Sequence, residues 1–269
     1  MHKVVSIQEL NDRVSAYKRK DLKVGLVPTM GFLHSGHLSL IESCKKECDV
    51  CVVSVYVNPS QFNESLDFES YPKDLERDLK LLKSVNCDLV WVPEQVDVES
   101  IPLDLNYELS GADKGLEGEY REGHFKGVIE IVYRLFKAVL PHVAYFGEKD
   151  YQQFKVIETM AKNNDLAIKV LARPTVREND GLAMSSRNVR LSTKDRKVAP
   201  VLHAVLTSLS SIENSDINDA KKLLVKKGFE VEYLTQYEFS EGGKRIFGAV
   251  KLGGVRLIDN VPLIKTVFQ

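Results

Sequence analysis

The chain has 269 residues, 43% hydrophobic and 28% charged, with a formal net charge of -1 and a pI near 6.6. That length supports one large domain or two smaller ones with a real core. The near-neutral balance excludes the basic footprint of a nucleic-acid binder, so anionic ligands have to be held by local charges. No apolar stretch approaches the roughly 20 residues of a membrane span and the N-terminus lacks a signal-peptide core, which makes the cytoplasm the expected compartment, with no membrane partner.

Residues 6–19 carry a helical period in Ile7, Leu10, Val14 and Tyr17, with Ser6 as cap and Glu9 at the third helical position. Residues 23–27 read as a buried strand, cut off by Pro28-Thr29-Met30-Gly31. An amphipathic helix follows over 36–47. His34 and His37 fall in its first turn, where unpaired N–H groups and the positive end of the helix dipole attract phosphate. Paired imidazoles there can donate hydrogen bonds to phosphate oxygens whose charge grows during attack at phosphorus. Gly31 and Gly36 let the backbone come close to a ligand. Two solvated or hydrogen-bonded histidines without a ligand fit the same letters.

A second buried strand, 50–57, ends at Asn58-Pro59-Ser60-Gln61-Phe62. Strand, helix, strand at this spacing implies a parallel pair with a right-handed crossover, so the loops leaving both strands face one crevice. The amides of Asn58 and Gln61 suit a neutral hydroxyl or a carboxylate, although an Asn-Pro turn explains them equally. Cys44, Cys48, Cys51 and Cys87 sit in apolar patterns and read as buried thiols rather than zinc ligands.

Residues 71–85 read as a surface helix beginning at a proline and carrying Asp78. Residues 89–92 form a third strand and 94–106 an irregular link. Five glycines among charges in 111–128 read as a mobile lid or a solvent loop. The longest amphipathic pattern, 125–140, is a core helix whose first turns offer an apolar wall to a substrate. A fourth strand, 143–146, runs into Gly147-Glu148-Lys149-Asp150, a second phosphate-receptive turn, with Gln153 on the helical turn that follows. After a fifth strand, 166–172, Ser185, Ser186 and Arg187 offer adjacent anion-binding groups, or simply a Ser/Arg-rich turn. Past Leu191, helical patterns at 194–209 and 217–227 precede strands at 230–239, 246–252 and 255–258. The expected fold is α/β: a Rossmann-like parallel sheet with helices on both faces in residues 1–174, plus a smaller C-terminal α+β domain with a short antiparallel sheet in 175–269, acting as a lid.

His34-Ser35-Gly36-His37, directly after a strand and a Pro-Thr-Met-Gly turn, resembles the signature of the nucleotidylyltransferase superfamily, whose members split nucleoside triphosphates between the α and β phosphates. The longer string PTMGFLHSGHLSL is similar to that of the pantothenate synthetase family. V-N-P-x-Q-F at 57–62, P-x-x-A-Y-F-G-x-K-D-Y-Q-Q at 141–153 and Met184-Ser185-Ser186-Arg187, the family form of a basic K-M-S-K-S loop, follow in order, and 249–260 continues the likeness. Where family members commonly read R-P-G-H-F, this chain has Arg121-Glu122-Gly123-His124-Phe125.

The resemblance implies ATP-dependent condensation of (R)-pantoate with β-alanine to pantothenate, AMP and pyrophosphate, with Mg2+ accompanying ATP and a homodimer as the assembly. It implies ATP contacts from Met30, Gly31, Phe32, Leu33, His34, Ser35, Gly36, His37, Gly147, Glu148, Lys149, Asp150, Val176, Met184, Ser185, Ser186 and Arg187. His37 takes the label of proton donor, with His34, Lys149 and Arg187 stabilising charge. Gln61, Gln153 and Asn58 would hold the substrates, and Asp78 would lie near the magnesium-triphosphate. A nucleotidylyltransferase moving AMP or CMP to a phosphate-bearing acceptor is the alternative enzyme, opposed by neutral Asn58, Gln61 and Gln153. A nucleotide-binding regulatory module without turnover is opposed by the intact histidines and Ser-Arg segment.

Overall fold

Near-continuous apolar runs, the mark of strands covered on both faces, build the sheet of the first unit. The computed structural model describes residues 1–211 and 216–263, which divide into two compact units, Met1–Pro174 and Thr175–Gln269. In chain order the first holds β1 (His2–Val4), α1 (Ile7–Arg19), β2 (Val24–Thr29), α2 (Ser35–Glu47), β3 (Val50–Val55), α3 (Ser65–Glu69), α4 (Leu75–Ser84), β4 (Leu89–Trp91), α5 (Gln95–Glu99), α6 (Leu116–Tyr120), α7 (His124–Val139), β5 (Val143–Gly147), α8 (Tyr151–Asn163) and β6 (Lys169–Arg173). The six strands are ordered β1-β4-β3-β2-β5-β6, all parallel. From β2 the chain steps outward through β3 and β4, then returns to the other side at β5. Such a reversal opens a crevice beyond the carboxyl ends of the strands.

Val27, Val53 and Tyr145 face α2 and α4, in one cluster with Ile41, Cys44 and Leu82. Leu26, Val52 and Ala144 alternate with them, and α7 meets β2 as well as α1 and α8. A Cβ on Gly25 would lie 2.3 Å from Cys44 Sγ, so glycine is what lets α2 lie close over β2. All four cysteines are buried and free.

Several boundaries differ from expectation. β2 continues through Pro28 and Thr29, which pair with Ser54 and Val55. Proline is accepted there because β5 pairs only with Gly25 and Leu26, leaving the missing N–H without a ladder partner to lose. α4 starts at Leu75 rather than at Pro72, because Asp74 caps it by accepting the Arg77 N–H. β1, α3, α5 and α6 span only three to five residues, too few to show a period.

The second unit holds α9 (Thr193–Val198), α10 (Val201–Ser211), α11 (Ile217–Lys226) and an antiparallel sheet of β7 (Glu230–Phe239), β8 (Gly243–Leu252) and β9 (Val255–Pro262), in that order. The single helix expected over 194–209 is two, broken before Pro200, whose ring and missing N–H cannot continue a helix. Leu202, Leu206, Leu224, Ile246 and Val250 centre its core.

Candidate active site

β3, β2 and β5 are neighbours in the sheet, so the segments leaving their carboxyl ends, 30–37, 56–61 and 148–150, sit side by side. The first becomes α2, and its start is built from the two histidines. His34 is the N-cap: its Nδ1 accepts the Gly36 N–H at 3.2 Å. His37, three residues on, turns back so that its Nδ1 accepts the His34 N–H at 3.3 Å. The pair forms a capping box in which imidazoles replace the usual hydroxyl and carboxylate.

An Nδ1 that accepts leaves the proton of a neutral imidazole on Nε2. The rings are tilted by 33° with centroids 4.0 Å apart. Burial, then His37 and Lys149, lowers the pKa of His34 to about 2. Burial and Lys149 lower that of His37 to about 4. Both rings are therefore neutral near physiological pH, with Nε2–H groups as donors at a helix N-terminus. A neutral His37 carries its ring proton on Nε2, where it can donate a hydrogen bond.

The turn before them is bent sharply. Gly31 has φ 78° and Phe32 φ 46°, left-handed values that a bulky L-residue seldom adopts. Asp78 holds this turn: its oxygens accept the N–H of Phe32 and of Leu33, each at 2.7 Å, and the Arg77 guanidinium lies 4.9 Å from the Phe32 ring centroid. Asp78 is thus not a solvated surface residue. It is 1% exposed, and burial raises its pKa against the two amide bonds. Two of the carboxylate's roughly four acceptor sites are taken by these amides. Among the described residues no three His, Cys, Asp or Glu side chains converge on a metal position.

The β3 segment closes into a 3-10 turn, Pro59–Gln61. Asn58, expected to contact substrate, has its amide engaged within the protein. Its Oδ1 accepts the Ser60 N–H and hydroxyl, and its Nδ2 donates to the Gly127 carbonyl and to Gln61 Oε1. Those four bonds fill the capacity of a primary amide, so Asn58 orients Gln61. Gln61 is half-buried, and its Nε2 donates to Met30 Sδ at 2.8 Å. Its backbone carbonyl accepts from His124 Nδ1 at 2.8 Å and from Arg121 Nη2 at 3.3 Å. Burial lowers the His124 pKa to about 4, with Arg121 adding to the effect.

The glycine-rich stretch is accordingly pinned at its end rather than a bare lid. Its beginning is tied down by Gln152, whose Nε2 donates toward the carbonyls of Ala112, Lys114 and Gly115 while its Oε1 accepts the Glu117 N–H. Sequence reading missed Arg121, His124 and Gln152 as supports. The one local signal for Gln152 was its sharing a helix face with Val156 and Met160, both fully buried.

Beyond β5, Glu148–Asp150 is a 3-10 turn, with Gly147, Lys149 and Asp150 half-buried and Lys149 Nζ 3.5 Å from Asp150 Oδ1. Lys149 lies close enough to both histidines to depress their pKa values. Gln153, half-buried, sits on the first turn of α8.

In the second unit, Val176 and Met184 face each other across a small hairpin, the Met184 N–H donating to the Val176 carbonyl at 3.0 Å. Ser185 caps the 3-10 turn Ser186–Arg190 by accepting the Arg187 N–H at 3.2 Å. Ser186 is buried, and Arg187 is half-buried. The three groups read as equivalent in sequence are thus distinct in place.

Residues 2–262 match the family model described as Pantoate-beta-alanine ligase. The pantothenate synthetase of Herpetosiphon aurantiacus is 40% identical over 278 residues, covering 97% of this chain and 99% of that one. The crystal structure of pantothenate synthetase from Thermus thermophilus superimposes with a TM-score of 0.87 at 38% identity, over 98% of this chain and 99% of that one. A pantoate-beta-alanine ligase from Francisella tularensis, complexed with beta-gamma ATP and beta-alanine, gives a TM-score of 0.87 at 34% identity, over 97% of each chain.

Proposed function

This chain belongs to the pantoate-beta-alanine ligase family and joins pantoate to β-alanine to form pantothenate, and we propose that it does so with ATP through a pantoyl-adenylate, releasing pyrophosphate and then AMP. In the first step a pantoate carboxylate oxygen attacks the α-phosphorus in line, and the bond from that phosphorus to the bridging oxygen breaks to free pyrophosphate. In the second the amine of β-alanine attacks the acyl carbon, the C–O bond to phosphate breaks, AMP leaves, and the nitrogen gives up its proton.

The observation that carries this reading is the histidine capping box. Two neutral imidazoles, each locked by its own Nδ1 bond, offer Nε2–H donors beside the α2 N-terminus and Lys149, an arrangement suited to charge developing on phosphate oxygens. The beta-gamma ATP and beta-alanine in the Francisella tularensis complex support the substrate set. Gln61, held in place by Asn58 and His124, suits pantoate, with Gln153 beside the same role. Ser185, Ser186 and Arg187 suit the β and γ phosphates. Magnesium would arrive with the triphosphate, its ligands phosphate oxygens and water. The homodimer and the cytoplasmic setting belong to the same proposal. No helix among the described residues is long and apolar enough to cross a membrane.

The test is pyrophosphate release from magnesium-ATP and pantoate, first without and then with β-alanine. About one equivalent per site without the amine, becoming continuous on its addition, supports the two-step ligase. No release with pantoate, against continuous release with a phosphorylated acceptor, overturns it.

A further inference from the structure

Among its described residues the second unit has none that reads as catalytic outside the 184–187 segment, yet it buries a charged cluster at the root of that segment. Asp259, on β9, is 4% exposed. Arg177 meets it with a two-pronged fork, Nη1 2.6 Å from Oδ2 and Nη2 3.0 Å from Oδ1, and Nη1 also donates to the Gly181 carbonyl at 3.1 Å. Asp259 Oδ1 accepts the Asn260 N–H as well, and His203 Nδ1 lies 3.4 Å from Oδ2. Burial pushes this carboxyl up, and the His203 and Arg177 contacts outweigh it, holding its pKa below the usual carboxylate range.

Arg177 begins the hairpin that delivers the segment. It bridges Ala183, while the turn between them is closed by the Glu178 N–H on the Leu182 carbonyl at 2.8 Å and the Gly181 N–H on the Glu178 carbonyl at 2.9 Å. Gly181 has φ 93°, and a Cβ there would lie 2.9 Å from His203 Cδ2, so the turn rests against the same cluster. Asp180 adds a third tether, to Arg196 at 2.5 Å. Ala183 leads directly into Met184-Ser185-Ser186-Arg187, and Asn188 Nδ2 donates back to the Ala183 carbonyl at 3.0 Å.

We propose that Asp259, acting through the Arg177 fork, is a positioning residue that sets where Ser185, Ser186 and Arg187 present themselves to the phosphates of ATP. The inference rests on the phosphate-binding role given to that segment above. Two parallel N–H···O bonds fix direction and roll together, which one point charge cannot do. A buried ion pair is weak as a stabiliser, since an apolar pair of similar volume often serves as well. What the apolar pair lacks is the fixed angle.

That contrast supplies the experiment. Arg177→Lys, Arg177→Met, Asp259→Leu and the double variant Arg177→Met/Asp259→Leu are compared with the unaltered enzyme and with Arg187→Ala, by melting temperature and by separate KM values for ATP, pantoate and β-alanine. Arg177→Lys is expected to raise the KM for ATP about tenfold, the scale of one lost charge-assisted bond. The other two KM values should stay within about twofold. The single apolar variants should melt early, and the double variant should regain melting temperature while keeping the raised KM for ATP. Recovery of the KM for ATP together with stability in the double variant overturns the proposal, as does an equal rise in all three KM values for Arg177→Lys. An unaltered KM for ATP in Arg187→Ala overturns the phosphate role of the segment itself, whereas a raised value there with Arg177→Lys unaffected overturns the positioning role alone.

Discussion

Asp78 holds Phe32 in a left-handed conformation: Oδ2 accepts the Phe32 N–H at 2.7 Å while Phe32 sits at φ 46°. A bulky residue in that region costs on the order of 1–3 kcal/mol unless its surroundings fix it. Here the same carboxylate fixes the next amide too. Asp78→Asn keeps one acceptor but turns an NH2 group toward an N–H donor. It should lose about 1–3 kcal/mol of stability and weaken ATP binding while leaving the magnesium concentration for half-maximal rate unchanged. Melts and a magnesium titration check this. An unaltered melting temperature with a shifted magnesium requirement would return Asp78 to the metal role.

His34 caps α2 through Nδ1, and the proposed function assigns its Nε2–H to the ligand. His34→Asn keeps a good cap, so stability should hold within about 0.5 kcal/mol, whereas His34→Ala should cost about 1 kcal/mol. Both should slow adenylation by roughly a hundredfold, the scale of one removed transition-state donor, as should His37→Ala. Single-turnover pyrophosphate release measures the rates. If His34→Asn were as fast as the unaltered enzyme, the Nε2 role would be gone.

Three histidines should make the fold sensitive to mild acid. In the folded chain His34 titrates at about 2, and His37 and His124 at about 4, whereas in the unfolded chain each titrates near 6.5. Below about 6.5 the unfolded state binds protons that the folded state refuses, so unfolding free energy is fully present above about 6.5 and falls as pH drops, down to about 4 for His37 and His124 and on to about 2 for His34. Urea midpoints measured down this range should decline, and His124→Gln, which keeps a donor for the Gln61 carbonyl, should decline less steeply. A flat profile for the unaltered protein would show that the rings protonate without opposing the fold.

Gly127 fixes the approach of α7 to the turn that carries Gln61. A Cβ there would lie 2.3 Å from the Ser60 carbonyl oxygen and 2.6 Å from its carbon, and backbone cannot step aside as a side chain does. Gly127→Ala should cost roughly 1–3 kcal/mol and raise the KM for pantoate more than that for ATP. Equal effects on both substrates would detach Gln61 from pantoate.

The strand and helix around His34 and His37, the parallel pairing of β2 with β3, and the strand-to-helix turn at Lys149 were legible in the sequence because neighbouring residues encode them: an apolar run followed by a helical period. What the sequence did not contain was pairing at a distance. Asp78 reaches Leu33 across 45 positions, His124 reaches Gln61 across 63, and Asp259 reaches Arg177 across 82. Each polar side chain looks, in sequence, equally free for solvent, ligand or backbone. Packing decided among those options, because a buried donor or acceptor left without a partner is costly enough to select one arrangement. It committed Asn58 and Asp78 to holding the loops and left the imidazole Nε2–H groups as donors, so the residue types came from the chain and their division of labour from the fold.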